Sequence, residues 1–344
     1  MSARERIIPV FVPHLGCPND CVFCNQRRIS GKQNPAKAED VRQAVEEGLL
    51  KTGTTDVQLA FYGGSFTAIP VEEQEELLGA AKEFLDRKRI SSIRLSTRPD
   101  AIDGTVLNRL RKYGVGTIEI GAQSLDDEVL RLAGRGHTAE DVEKASVMIK
   151  QAGFRLILQM MTGLPGDSPE RDYATAEKII RLKPDGVRIY PTVIVKDTAL
   201  YDLWKAGKYP EHTVEDAVET CSVLLPIFQD AEIPVIRLGL NPTEELSSGA
   251  AAGGAYHPAL GELVKSRILR KKAEELLDAC GTDLTDASVC IGVSGNRLSQ
   301  MTGQHRCNAE FLTGKYALKS LRFARMDAET QQNEEIRLIS IEKG

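Results

Sequence analysis

The 344-residue chain contains no apolar run of the roughly 18 residues that a helical membrane span requires, so it reads as a protein that does not cross a membrane by a helix. The opening Met1-Ser2-Ala3-Arg4-Glu5-Arg6 lacks the apolar stretch of a secretory signal, and the expectation is a cytoplasmic protein with reduced thiols. A large excess of charge of one sign is also lacking. Lys and Arg number 44 against 49 Asp and Glu, a formal net charge of −5, which is not the footprint of a strong nucleic-acid binder. The basic run Lys265-Ser266-Arg267-Ile268-Leu269-Arg270-Lys271-Lys272 reads as the solvated face of a helix. Internal repeats and low-complexity segments are absent. The seven cysteines are an odd number in a long chain, which argues against a disulfide framework. Cys221, Cys280, Cys290 and Cys307 are scattered, and a free Cys is commonly just a small buried hydrophobe.

The other three cysteines are not scattered. Cys17, Cys21 and Cys24 follow a short apolar strand with three and two residues between them. A structural zinc site takes four ligands, usually as two separated pairs, and here only His14 is near enough to join. Three adjacent thiolates instead suit three irons of a cubane cluster, with the fourth iron left to a small ligand carrying its own amine and carboxylate.

Short apolar runs alternate with amphipathic stretches along most of the chain. Candidate strands are Ile7 to Val12, Val57 to Tyr62, Ile93 to Thr97, Thr117 to Gly121, Arg155 to Met161, Val187 to Tyr190 and Val235 to Leu238. Helical patterns lie between them, several opened by a capping residue and acidic first-turn residues, as in Thr138-Ala139-Glu140-Asp141. This alternation predicts an α/β fold, a parallel partial βα barrel of six to seven units over 1–240, with functional groups at the C-terminal strand ends. Residues 241–344 are expected to form a small C-terminal α/β domain: a loop at Gly253-Gly254, a helix from Leu260 to Cys280, a strand from Ser288 to Val293, helical sequence from Arg306 to Arg325 and a strand from Ile336 to Ile341.

The expected strand ends carry Tyr62-Gly63-Gly64-Ser65, Ser96-Thr97-Arg98-Pro99-Asp100, Glu119-Ile120-Gly121-Ala122-Gln123-Ser124, Gly134-Arg135-Gly136-His137-Thr138, Gln159-Met160-Met161-Thr162-Gly163-Leu164-Pro165-Gly166 and Arg188-Ile189-Tyr190-Pro191. Their order, together with the cysteine spacing, resembles the radical S-adenosylmethionine (SAM) superfamily. The likeness is to the radical SAM domain of the Elongator catalytic subunit and, more loosely, to oxygen-independent coproporphyrinogen oxidase, over roughly Ile7 to Lys205. The resemblance implies a [4Fe-4S] cluster on Cys17, Cys21 and Cys24 and SAM on its open iron, with Phe23 beside the adenine. It further implies that Gly63, Gly64 and Ser65 hold the SAM amino group through backbone, that Gln123 and Arg135 meet its ribose and carboxylate, and that Ser96 and Gln159 stand where relatives often carry acids.

What the resemblance implies chemically is reductive cleavage of SAM to a 5′-deoxyadenosyl radical that takes hydrogen from a substrate, fed by an electron donor of flavodoxin or ferredoxin type. Acetyl-CoA is not expected as a partner, since only the short tail follows residue 240. Substrate contacts are expected from Arg188, Tyr190, Arg237 and His257. Arg188 and Tyr190 share a strand face, and the two arginines favour an anionic substrate. Two other readings remain open, an RNA-modifying enzyme that binds tRNA through the basic helix, and a sensor that binds SAM or the cluster without turnover.

Overall fold

The protein is described here by a computed structural model covering residues 6–12, 17, 21–25, 36–241, 246–295, 297–326 and 335–343, so His14 lies outside the described residues. Two compact units emerge, Met1–Thr213 with Ile227–Tyr256, and Val214–Pro226 with His257–Gly344. In chain order the first unit contains β1 (Ile7–Val12), α1 (Ala38–Thr52), β2 (Gln58–Gly63), α2 (Val71–Asp86), β3 (Ser92–Thr97), α3 (Gly104–Lys112) and β4 (Val115–Gln123). It continues through α4 (Asp127–Leu132), α5 (Ala139–Gln151), β5 (Arg155–Thr162), α6 (Pro169–Leu182), β6 (Gly186–Pro191), β7 (Val193–Val195) and α7 (Ala199–Lys205). The helix α8 (Val214–Asp230) is divided between the units at Pro226, and β8 (Val235–Leu238) and β9 (Ala251–Gly254) return to the first.

Seven strands form one parallel sheet in the order β1-β2-β3-β4-β5-β6-β8, curled as a half-barrel. Sequential strands lie side by side because each right-handed βα unit adds its strand next to the last. The helices begin where sequence-local capping predicts. Asp103 Oδ1 accepts the Val106 N–H (2.7 Å), and Thr138 and Asp141 close a reciprocal capping box. The period of two then divides the strand residues. Leu59, Phe61, Ile93, Leu95, Ile118, Ile120, Leu156 and Leu158 are buried in the apolar core, whereas Tyr62, Arg94, Ser96, Glu119, Gln159 and Arg188 take the alternate positions. A polar inner face on a buried parallel sheet marks this lumen as the place for chemistry.

The expected loop at Gly253-Gly254 is instead part of β9, which pairs antiparallel with β7. Gly254 has φ +78°, and a Cβ there would approach the Thr192 carbonyl oxygen to 2.7 Å, so glycine lets these two short strands meet.

In the second unit, β10 (Ala287–Val293) lies between β11 (Ser320–Arg325), parallel, and β12 (Ile336–Lys343), antiparallel. The helices α9 (Leu260–Asp278), α10 (Leu298–Thr302) and α11 (Cys307–Lys315) contribute Leu269, Ala273, Met301 and Leu312 to a core shared with Val289 and Ile291. The continuous helical pattern expected from Arg306 to Arg325 is therefore wrong in its second half. Ala317 at φ 48° breaks the helix, and Leu321 and Phe323 alternate onto the core as β11 pairs with β10. Tertiary pairing outweighs local propensity here. The basic run on α9 is extensively ion-paired: Arg267 with Glu215 and Glu219 (both 2.6 Å), Lys271 with Glu219, Lys272 with Glu335, Arg270 with Glu274 (3.3 Å) and Lys265 with Glu262 (3.0 Å). Acids from other elements thus offset most of the positive stripe read from the sequence.

Candidate functional site

The cysteine segment is tied to the C-terminal rim of the half-barrel by backbone. Cys24 N–H donates to Cys21 O (2.9 Å), Val22 N–H to Ala133 O (3.1 Å), and Leu200 N–H to Val22 O (2.7 Å). Cys17 is exposed, and Cys21 and Cys24 are half-buried. Partial desolvation, then the neighbouring Cys21, raise the Cys17 thiol pKa, while the Ser65 backbone N–H and the Arg135 and Arg98 guanidiniums pull the other way. Among the described residues no three His, Cys, Asp or Glu side chains stand together at metal-binding spacing, so the three thiols are near one another in chain but not closed round a centre.

Next to this segment β2 ends in Gly63 at φ +114°, where a Cβ would come within 3.0 Å of the Val12 carbonyl oxygen. The Gly64 N–H donates to that same oxygen (2.8 Å), so the first demand on these glycines is the close approach of β1. The Ser65 hydroxyl is buried in a hydrogen bond with Thr97 Oγ1 (2.9 Å) and accepts the Arg98 N–H (3.2 Å), which leaves its backbone as the part able to meet a ligand.

The end of β4 is more unusual. Its register with β5 shifts between Gly121 and Gln123, and Gln123 sits at φ 65°. Two side chains brace this bulge: Arg135 Nη2 donates to Gly121 O (2.7 Å), and His137 Nε2, carrying the ring proton, donates to Ala122 O (3.2 Å). Arg135 Nη1 also reaches Cys21 Sγ (3.2 Å), linking the brace to the cysteine segment. A Cβ on Gly121 would lie 3.0 Å from Gln123 Nε2 and 3.4 Å from Arg135 Nη2, so glycine makes room for both. Gln123 Oε1 is buried without a hydrogen-bond partner among the described residues, an acceptor suited to a ligand hydroxyl or ammonium. Three thiols, an adjacent guanidinium and this orphaned acceptor fit a three-cysteine cluster beside a zwitterionic ligand with hydroxyls.

Burial, then Arg135, push His137 down to about 4. The unfolded chain therefore takes up a proton near pH 6.5 that the folded chain refuses, and stability should be lost as pH falls from about 6.5 toward the folded value. His137→Gln, which can still donate to Ala122 O, should lack that part of the slope. Urea midpoints at pH 7 and pH 5 test this, and equal pH slopes for the two proteins would refute it.

A cavity of about 720 Å³ runs through the lumen. Its wall includes Phe23, Cys24, Gly63, Ser96, Gln123 and Gln159, and, further round, Arg188, Tyr190 and Arg237. Nine of the residues nominated from the sequence thus share one cavity. His257 belongs to the second unit, where its Nδ1 accepts the Ala259 N–H (3.1 Å). Phe23 packs with Tyr190 against Val129, Ala133, Met161 and Leu164.

Sequence reasoning gave no role to Tyr62, Arg94 and Glu119, yet they organise the lumen. Glu119 and Arg94 are both 0% exposed. Glu119 accepts from Tyr62 OH (3.0 Å), Gln159 Nε2 (2.9 Å) and Arg188 Nη2 (3.1 Å), and pairs with Arg188 Nε (2.9 Å) and Arg94 Nη1 (3.4 Å). Gln159 also donates to Ser96 Oγ (3.4 Å). Burial opposes the charge on Arg188, but Glu119 and the phenols of Tyr190 and Tyr62 outweigh it and hold the guanidinium protonated. Burial, reinforced by Glu119, keeps Tyr62 protonated well above the usual tyrosine range. The available signal was a charged residue inside an apolar strand, as in Ile93-Arg94-Leu95 and Ile118-Glu119-Ile120.

Comparison with known proteins bears on this site. Residues 11–179 match the family model of the Radical SAM superfamily, and residues 184–270 match that of the Radical_SAM C-terminal domain. The chain is similar to the tRNA uridine(34) acetyltransferase of Methanocaldococcus infernus, 30% identical over 198 residues that cover 51% of this chain and 37% of the relative. It is likewise similar to Elongator complex protein 3 of Saccharomyces cerevisiae, 30% identical over 225 residues, 59% of this chain and 40% of the relative. The chain thus spans about two fifths of the length of these curated relatives. Among solved structures, the archaeal Methanocaldococcus infernus Elp3 with an N-terminal deletion superposes with a TM-score of 0.63 at 26% identity, covering 79% of this chain and 64% of that one. HydG, a maturase of the [FeFe]-hydrogenase, shares the fold at a TM-score of 0.51 and 16% identity, covering 79% of this chain and 63% of that one.

Proposed function

Because the chain belongs to the radical SAM superfamily, and is an enzyme that uses a [4Fe-4S] cluster and S-adenosyl-L-methionine, we propose that Cys17, Cys21 and Cys24 hold the cluster and that SAM lies between them and the Gln123 bulge. Bound there, the pair supplies reductive cleavage of SAM to a 5′-deoxyadenosyl group that takes hydrogen from a substrate. The residues of the chain do the rest. Gly63 and Gly64 offer backbone at the methionine end, Arg135 offers a fork for the carboxylate, and Gln123 and Ser96 offer acceptors for ribose hydroxyls. Phe23 closes the apolar side and keeps water from the lumen, and Arg188, Tyr190 and Arg237 face the substrate.

The observation that carries this reading is the single cavity shared by Cys24, Gln123 and the arginines of the later strands. Anaerobic reconstitution followed by dithionite and SAM tests it, with 5′-deoxyadenosine as the expected product. Binding of SAM without turnover would favour the sensor instead. SAM recognition is probed by two variants. Arg135→Ala should weaken SAM by about tenfold or more, the size of a charge-assisted contact worth ~1.5–3 kcal/mol, and Gly64→Val should abolish binding. Normal SAM affinity for both in calorimetry would break this assignment.

A second reading, action on tRNA, is supported by the named activity of the relatives. The paired state of the α9 basic run weighs against that helix as the RNA contact. A salt-dependent mobility shift with tRNA would restore it. An electron donor of flavodoxin or ferredoxin type remains part of the proposal, and the described residues contain no helix long and apolar enough to cross a membrane.

A further inference from the structure

Arg188 and Tyr190 come from alternate positions of β6 and both line the cavity, with Arg237 in register beside Arg188 on β8. The guanidinium of Arg188 is held on one edge. Its Nε lies 2.9 Å from a Glu119 oxygen as an ion pair, Nη2 donates to Glu119 (3.1 Å) and to Tyr62 OH (2.8 Å), and Nη1 donates to Tyr190 OH (3.3 Å). A guanidinium has five N–H groups, so one on Nη1 remains beyond these contacts. Tyr190 oxygen accepts from Arg188, which leaves its own proton to donate. Two neighbouring donors, one charged and one neutral, therefore border the cavity.

We propose that Arg188 and Tyr190 form a clamp for the carboxylate of a small organic acid, which is the substrate class, with Glu119 as the positioning residue beneath the clamp. The inference rests on the reading that this cavity receives the substrate. Charge supports it, since Arg188 and Arg237 stand in register on neighbouring strands and both line the cavity, with Glu119 behind Arg188. Glu119 itself is surrounded by donors from Tyr62, Gln159, Arg188 and Arg94, so it orients the guanidinium rather than accepting a substrate proton. Burial keeps Tyr190 protonated and hence a donor. Two donors side by side match the two oxygens of a planar carboxylate, whereas a phosphate dianion presents three oxygens and a second charge. Size sets the other limit. About 720 Å³ is the scale of one drug-sized ligand, and once SAM is inside, room is left for a small molecule only.

The test uses reconstituted holoenzyme with SAM, and acetate, acetamide and inorganic phosphate as probes at matched ionic strength. Cluster loading and SAM cleavage are measured first on the same preparation. Acetate should raise the thermal midpoint saturably, while acetamide and phosphate should not. Tyr190→Phe keeps the ring and removes the O–H, and should raise the half-saturating acetate concentration about two- to tenfold. Arg188→Gln should raise it at least about tenfold. Glu119→Gln keeps shape but not charge and should weaken acetate as well, read against the iron content of the variant. If that variant fails to fold, Tyr190→Phe still decides the clamp. A preparation that cleaves SAM yet ignores acetate overturns the clamp alone, as does an equal response to phosphate or an unchanged Tyr190→Phe. Failure to cleave SAM overturns the reading beneath it.

Discussion

Replacing Cys17, Cys21 or Cys24 singly by serine should remove the brown colour, the roughly four irons per chain and the EPR signal of the reduced, anaerobically prepared protein, and with them all SAM cleavage. On the proposed assignment, loss of one of these three thiolates leaves a cubane with too few protein ligands. Cys221 and Cys290 are buried in the packed interior, so Cys221→Ala and Cys290→Ala should retain iron. The EPR signal of the native protein should also change when SAM is added. Stoichiometric zinc without iron after anaerobic reconstitution would sink the proposed centre.

Removal of the Glu119 carboxylate is expected to have the largest effect on stability. In Glu119→Ala, the guanidiniums of Arg94 and Arg188 would stay in a buried lumen without their shared counter-charge, and Tyr62 and Gln159 would lose an acceptor. Breaking a buried pair from one side costs ~3–5 kcal/mol, because the orphaned charge cannot recover its hydration. An exposed pair provides the contrast. Glu46, bound to Arg89 at 2.9 Å on the surface, should lose only about 0–1 kcal/mol on substitution by alanine. Denaturant unfolding of both variants measures the difference, and a Glu119→Ala cost as small as that of Glu46→Ala would mean that water or another group already compensates the two arginines.

The positions proposed for the cluster and SAM were legible because their signals are local. The cysteine spacing, the strand-end Gly63-Gly64 and the Gln123 and Arg135 motifs each lie within a dozen residues, and the strand–helix rhythm that puts them on one rim is equally local. Arg94, Glu119 and Tyr62 were harder to read. Each sits on a different strand, separated by 57 residues in the case of Tyr62 and Glu119, and the meaning of each charge depends on the other strands beside it. The basic run of α9 was open to misreading for the same reason, since Glu215, Glu219 and Glu335 are distant in sequence from the lysines and arginines they meet. The end of α11 and the start of β11 likewise turned on pairing with β10, which no window over Arg306 to Arg325 contains.

By itself, then, the order of residues determined the βα repeat and the family of the enzyme with its cofactors, since hydrophobic period, caps and motif spacing act over one or two elements. The tertiary structure alone decided which inward-facing side chains converge, that Glu119 braces Arg188 and Tyr62, and that the α9 cations meet acids. Those are contacts across strands and helices, and their energies depend on distances and burial that exist only once the sheet has curled.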